Sequence, residues 1–289
     1  MMTKYLIAVA GALCILVPSS AQTTAQTGAF EVPTTNSRAT VHQRVAATDI
    51  EITYHRPNVK GRIIFGELVP YGRVWRTGAD AATTISFSTP VIIEGTEVDA
   101  GTYELFTIPG AEQWTVILQE AQGQWGSYSY SPEHDALRVN VKPVPTAHVE
   151  TFTISLDVVG ASYATLNIAW ARVRVPVRIE IDLEATVLPG LEAALQADGR
   201  RPYFRAAMFY FENDLDINRA AELMALALEQ APGHIGMLYR QALILERKGD
   251  LAGARAAAEA SLAGAQDAGD ELKAEYTRLN KALLERLIK

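Results

Sequence analysis

Cysteine is nearly missing from this sequence: its 289 residues hold one, Cys14. No intrachain disulfide can form, so a packed core has to supply the stability. Apolar runs of membrane-spanning length are missing too. The stretch from Tyr5 to Val17 covers 13 residues, where a spanning helix needs roughly 20. Basic residues are outnumbered, 26 Lys and Arg against 33 Asp and Glu, for a formal charge of −7. That balance makes nucleic acid and anionic membrane poor partners. Catalytic signatures are also lacking. The five histidines, His42, His55, His134, His148 and His234, stand apart with no metal-ligand spacing. There is no Gly-x-Ser-x-Gly elbow and no phosphate loop. The sequence therefore predicts no metal and no cofactor. An enzyme of this chain would have to use scattered carboxylates such as Glu104, Glu133 or Asp135, which leave no local motif.

The N-terminus does carry a pattern. Lys4 precedes the apolar run, Pro18 breaks it, and Ser19-Ser20-Ala21 places small residues at −3 and −1. This order predicts a secretory signal peptide cut after Ala21, residues 1–21. Leu13 before Cys14 does not suit lipid attachment, which needs a small residue there. Cleavage removes Cys14 and Lys4, so the charge goes from −7 to −8. The expected product is exported, periplasmic or extracellular, with no stable membrane insertion. Residues 22–36 are Thr/Gln-rich without periodicity and predict a disordered leader.

From residue 37 to about 183 the apolar period is two. In "DIEITYHRP", Ile50, Ile52 and Tyr54 alternate with Glu51, Thr53 and His55 until Pro57 ends the run. Similar runs begin at residues 83, 102, 114, 137, 150 and 164, mostly separated by Gly, Pro, Asn or Asp. The spacing predicts antiparallel hairpins in a β-sandwich or jelly-roll-like domain. Over 184–289 the period becomes 3.6. Aligning Ala207 on Ala242 gives an offset of 35, and Asp216 on Asp250 gives 34. With Leu238-Tyr239, Gly249, Ala254 and Ala258, this is the small-residue pattern of tetratricopeptide-like helix pairs. The fold class expected is α+β in two domains, a β-sandwich followed by a helical array. Such arrays dock proteins, which predicts a protein partner for this half.

The stretch "VPYGRVWRTGADAATT", residues 69–84, is the candidate site. Between Arg56 and Asp80 lie five basic residues (Arg56, Lys60, Arg62, Arg73 and Arg76) and two acids, Glu67 and Asp80, a local +3. Guanidinium groups bind carboxylate or phosphate through a planar fork. Trp75, Tyr54 and Tyr71 offer flat apolar walls. The ligand-binding set is therefore Tyr54, Arg56, Lys60, Arg62, Tyr71, Trp75, Arg76 and Asp80, with Trp125 from a second aromatic loop, "QWGSYSYSPEH". The ligand class is a small anion or a carbohydrate. A second reading stays open, in which Arg76 pairs with Asp80 and Trp75 is a core residue. For the second loop the alternative is a hairpin with cross-strand aromatic pairs.

The residues "YHRPNVKGRIIFGELVPYGRVWRTGADAATTISFS", then "AGTYELFTIPG", "WTVIL", "QWGSYSY" and "DALRVNVKP", resemble a secreted bacterial family catalogued as domain of unknown function 2911. The likeness covers about residues 37–157 and implies export, with tetratricopeptide-type helices after the β-domain. It implies no activity, cofactor or substrate. Many members read Ala-Asn where this chain has Ala79-Asp80. Together these readings predict an exported, non-catalytic binding protein. The alternatives are a periplasmic hydrolase that orients substrate on the Arg/Trp loop, and a structural envelope or assembly factor.

Overall fold

The computed structural model describes residues 35–120, 123–158 and 160–288. The expected signal peptide and most of the expected leader lie outside them. Ten strands come first among the described residues: β1 (Ser37–Val45), β2 (Thr48–Arg56), β3 (Thr83–Phe87), β4 (Val91–Ile93), β5 (Thr96–Val98), β6 (Gly101–Ile108), β7 (Trp114–Glu120), β8 (Asp135–Val141), β9 (Val144–Val158) and β10 (Tyr163–Glu180). Helices follow: α1 (Leu183–Thr186), α2 (Leu188–Gln196), α3 (Tyr203–Glu212), α4 (Ile217–Gln230), α5 (Ile235–Lys248), α6 (Leu251–Gln266) and α7 (Asp270–Arg286).

The strands form two antiparallel sheets, ordered β1-β2-β3-β6-β7-β8 and β5-β4-β10-β9. The alternation in "DIEITYHRP" is realised in β2, where Ile50, Ile52 and Tyr54 are buried. Strands β1, β4 and β5 were not separately legible. β1 is an edge strand exposed along most of its length, so its apolar contrast is weak. β4 and β5 have three residues each, joined by Glu94-Gly95 with φ of 47° and 81°, the tight turn that favours glycine second. One apolar core draws on both sheets, with Ile52, Ile85 and Leu118 from the first and Ile154, Ile168 and Val177 from the second. At its centre Trp75 stacks on Trp170 (5.9 Å, 17°) and meets Trp114 and Phe152 edge-on. Offset and edge arrangements of this kind match the ring quadrupoles.

The helical region has its own cores, one over α2–α5 and one over α5–α7. Ala206, Ala207, Ala220, Ala242, Ala254 and Ala258 are fully buried, and small side chains of this kind let antiparallel helices approach closely. The 34-residue offset between Asp216 and Asp250 is a capping equivalence. Asp216 accepts from the amides of Asn218 and Arg219, and Asp250 from that of Gly253, each satisfying otherwise unpaired first-turn donors. Among the described residues no helix is long and apolar enough to cross a membrane.

Candidate functional site

The segment between β2 and β3 is irregular but firmly tied. The Val59 amide donates to Glu150 O at 2.8 Å, and the Phe152 amide to Pro57 O at 2.8 Å. Trp75 exchanges both backbone hydrogen bonds with Thr107, at 2.8 and 2.9 Å. That pairing drops its indole into the core at 7% exposure, where Nε1 donates to Gly78 O at 3.0 Å. The chain then makes a turn with φ of 54° at Thr77, 156° at Gly78 and 57° at Asp80. A β-branched threonine in the left-handed region is strained, and such strain persists only where neighbours over-determine it. Here they do. The Thr83 hydroxyl donates to Thr77 O at 2.7 Å, and the Thr77 and Thr107 hydroxyls lie 3.1 Å apart. A Cβ at position 78 would make a tight 3.0 Å contact with His55 O, and the φ of 156° is one that L side chains rarely adopt, so the turn favours glycine there.

This turn presents Arg76 to a cavity of about 290 Å³, at the small end of ligand pockets. Trp75 and Trp170 form part of its wall with Leu68, and Asn36 and Arg62 stand with Arg76 as the polar groups. Nε of Arg76 is fully buried and, among the described residues, has no acceptor. An unmet buried donor costs about 1–3 kcal/mol, and more on a charged group. Arg62 donates to Val59 O at 3.0 Å and Asn58 O at 2.5 Å, which fixes its guanidinium at the rim. Among the described residues, no carboxylate and no histidine lines the cavity. Asp80 makes no ion pair with Arg76, and its oxygens instead accept from Asn36 Nδ2 at 3.3 and 3.4 Å.

The cavity brings together three of the nine residues singled out from sequence: Arg62, Trp75 and Arg76. Asp80 adjoins it through Asn36. Tyr54 lies elsewhere, 2% exposed, its hydroxyl donating to Ile154 O at 3.2 Å and accepting from the Ile154 amide at 3.0 Å. Arg56 donates to Phe152 O at 2.9 Å and Thr153 Oγ1 at 2.8 Å. Both residues are stitches from β2 to β9. Lys60 is exposed, and its amide caps the Glu150 carboxylate at 2.9 Å. That amide and the neighbouring His148 hold the Glu150 carboxyl below the usual range. Tyr71 borders a separate cavity of about 200 Å³ beside Phe65 and Arg172. Trp125 is 68% exposed.

The two loops read separately from sequence are neighbours. The Ala82 amide donates to Gln124 O at 3.0 Å, the Gly126 amide to Asp80 O at 3.2 Å, and Ser127 Oγ to Val74 O at 3.2 Å. A buried polar network anchors the second loop. Glu104, 1% exposed, accepts from the Gln124 amide at 2.6 Å and from Gln124 Nε2 at 2.8 Å. Gln119 accepts from the same Nε2 at 2.7 Å and donates to Asp135 at 3.2 Å. Asp135 also accepts from Tyr130 at 2.8 Å and Arg138 at 2.7 Å. Burial, and then the hydrogen bond to Asp135, push the Tyr130 phenol up. Glu104 and Asp135, weighed from sequence as catalytic acids, are thus occupied in holding a loop. Among the described residues no group of three or more His, Cys, Asp or Glu is placed to hold a metal ion.

Sequence reasoning missed Asn36, Leu68 and Trp170. Trp170 lies within an ordinary alternating strand nearly a hundred residues from Arg76, and Asn36 looked like the end of a polar leader. Neither leaves a local signal. No curated protein and no solved structure matches the chain. Residues 36–179 match the sequence model of a family described as protein of unknown function (DUF2911). The match takes in every pocket residue named above and ends just before the helices, so it is the sheet region that is similar to this family.

Proposed function

We propose that this is an exported, non-catalytic binding protein whose sheet region holds a small anionic ligand at Arg76 and whose helices dock a protein partner. In this reading the two sheets pack as a sandwich and the helices stack as tetratricopeptide-like pairs. The observation that carries the ligand half is the buried Nε of Arg76, unpartnered among the described residues, at a cavity that also bears Arg62 and, among those residues, no acid. A carboxylate or phosphate oxygen would satisfy that donor and neutralise the fork, while the wall of Trp75 and Trp170 covers an apolar body. Two guanidinium groups favour an anion over a neutral sugar. The lack of an acid or histidine among the described lining residues favours binding over hydrolysis.

The test is calorimetry and thermal shift with inorganic phosphate, small carboxylates, sugar phosphates and neutral sugars. An anionic class should raise the melting temperature of wild type. Arg76→Ala should weaken its binding by about 1.5–3 kcal/mol, roughly ten- to a hundredfold, with Arg76→Lys between. If no anion binds wild type better than Arg76→Ala, the site reading fails.

A further inference from the structure

Two larger cavities, of about 650 and 670 Å³, share Phe204 and Arg205 of α3; the first is lined by the helical region, the second also by Arg44, Ala46, Ala47 and Ala161 of the sheet region. The sequence of α3 accounts for this. Ala206, Ala207 and Tyr210 turn inward and are buried. That leaves Phe204, Arg205, Met208 and Phe209 on another face, Arg205 exposed and the rest half-buried. The first cavity continues past Arg200 and Arg201 to Met237 at the start of α5. The second continues along α3 to Arg240.

The arginines of the first cavity differ from those of these helices that are tied by ion pairs. Arg219 pairs with Glu192 and Glu222, Arg247 with Asp214, and Arg286 with Glu246. Among the described residues, Arg200, Arg201 and Arg205 pair with no carboxylate. Arg201 donates only to Ala197 O and the Tyr203 hydroxyl. Among the described residues, the one acid lining either cavity is Glu212, at the far end of α3. A groove with an apolar floor and unneutralised cations, on a protein of charge −7, is complementary to carboxylates interleaved with apolar side chains.

We propose that this groove along α3 and the α4–α5 turn docks an acidic, leucine- or phenylalanine-studded peptide segment of a partner protein. The proposal rests on the docking half of the reading above and is independent of the Arg76 cavity. Carboxylates of the segment meet Arg200 and Arg205. Its apolar side chains lie on Phe204, Met208 and Met237, whose thioethers adapt to different shapes. Charge at the walls sets specificity and association rate, and the apolar floor supplies the holding energy.

The test is fluorescence anisotropy with a labelled peptide in which glutamate pairs alternate with leucine, beside its glutamine counterpart. Wild type should bind the acidic peptide in a salt-sensitive manner. Arg200→Glu/Arg205→Glu, checked for folding by far-UV circular dichroism, should bind it at least roughly tenfold more weakly. Arg76→Ala should bind it as wild type does. Equal binding of the acidic and glutamine peptides would overturn the acidic preference while leaving a docking face. Binding of neither peptide would remove this face as a docking site and leave the Arg76 reading untouched. If wild type instead self-associates in sedimentation and the charge-reversed variant does not, the occupant is a second copy and the proposal falls.

Discussion

Arg76 owes its setting to residues that never touch a ligand. Thr77 and Asp80 accept left-handed backbone, Gly78 allows the close pass of His55, and the Trp75 indole locks the turn from beneath. Gly78→Ala should therefore destabilise the fold by about 1–3 kcal/mol, because strain and a tight backbone contact are added together; chemical denaturation would measure it. Asn would meet the same backbone demand as Asp80, whose φ is 57°. Asn and Asp are the residues that tolerate the left-handed region, so the backbone requirement survives the exchange. Asp80→Asn should leave stability within about 0.5 kcal/mol. It should also strengthen anion binding, since it removes a carboxylate close to the cavity. A weaker anion affinity in calorimetry would show that the Asp80 charge is needed for binding. Reading "ADA" in the sequence could not show this, because φ is fixed by packing that arrives from β6 and β2.

At the scale of elements, strands with one buried face and helices with repeated small residues were legible because their periods differ. The exposed edge strand β1 was not, having little apolar contrast to read. Helix α7 is held to α5 by Arg286, whose guanidinium donates twice to Glu246, each at 2.6 Å. That pairing holds the Glu246 carboxyl below the usual range. A depressed folded-state pKa contributes stability at neutral pH that is lost as pH falls through the carboxylate range. The Arg286 side chain is 57% exposed, so the contribution is small, about 0.5–1 kcal/mol. Arg286→Ala should lower the melting temperature at pH 7 and lose its effect in acid; an equal effect in acid would show that the tie is not ionic. The Glu104 network makes a parallel case for the 123–131 loop. Glu104→Ala should expose that loop to limited proteolysis well before global unfolding.

The whole molecule divides its reporters unevenly. All four tryptophans, Trp75, Trp114, Trp125 and Trp170, belong to the sheet region, while the helices have separate cores. Tryptophan fluorescence should follow unfolding of the sheets, and ellipticity at the helical band should follow the helices. Phe152→Ala, which removes a fully buried ring, should cost about 3–5 kcal/mol. It should move the fluorescence transition further than the ellipticity transition. Coincident shifts would mean that the two regions unfold as one unit.

The sequence by itself determined the classes of element, the change of period near residue 183, and the stretch around Arg76 as chemically unusual. These follow from local physics: side-chain alternation, small-residue spacing, turn chemistry and charge count act within a few residues. Only the tertiary structure decided that Arg76 does not close on Asp80, that Trp170 and Asn36 complete its cavity, and that Tyr54 and Arg56 are stitches between sheets. It alone placed Arg200, Arg201 and Arg205 along one cavity, where among the described residues they pair with no carboxylate. These are facts of long-range packing, in which residues far apart in the chain compete for the same partners. A linear pattern supplies the competitors without saying which of them meet.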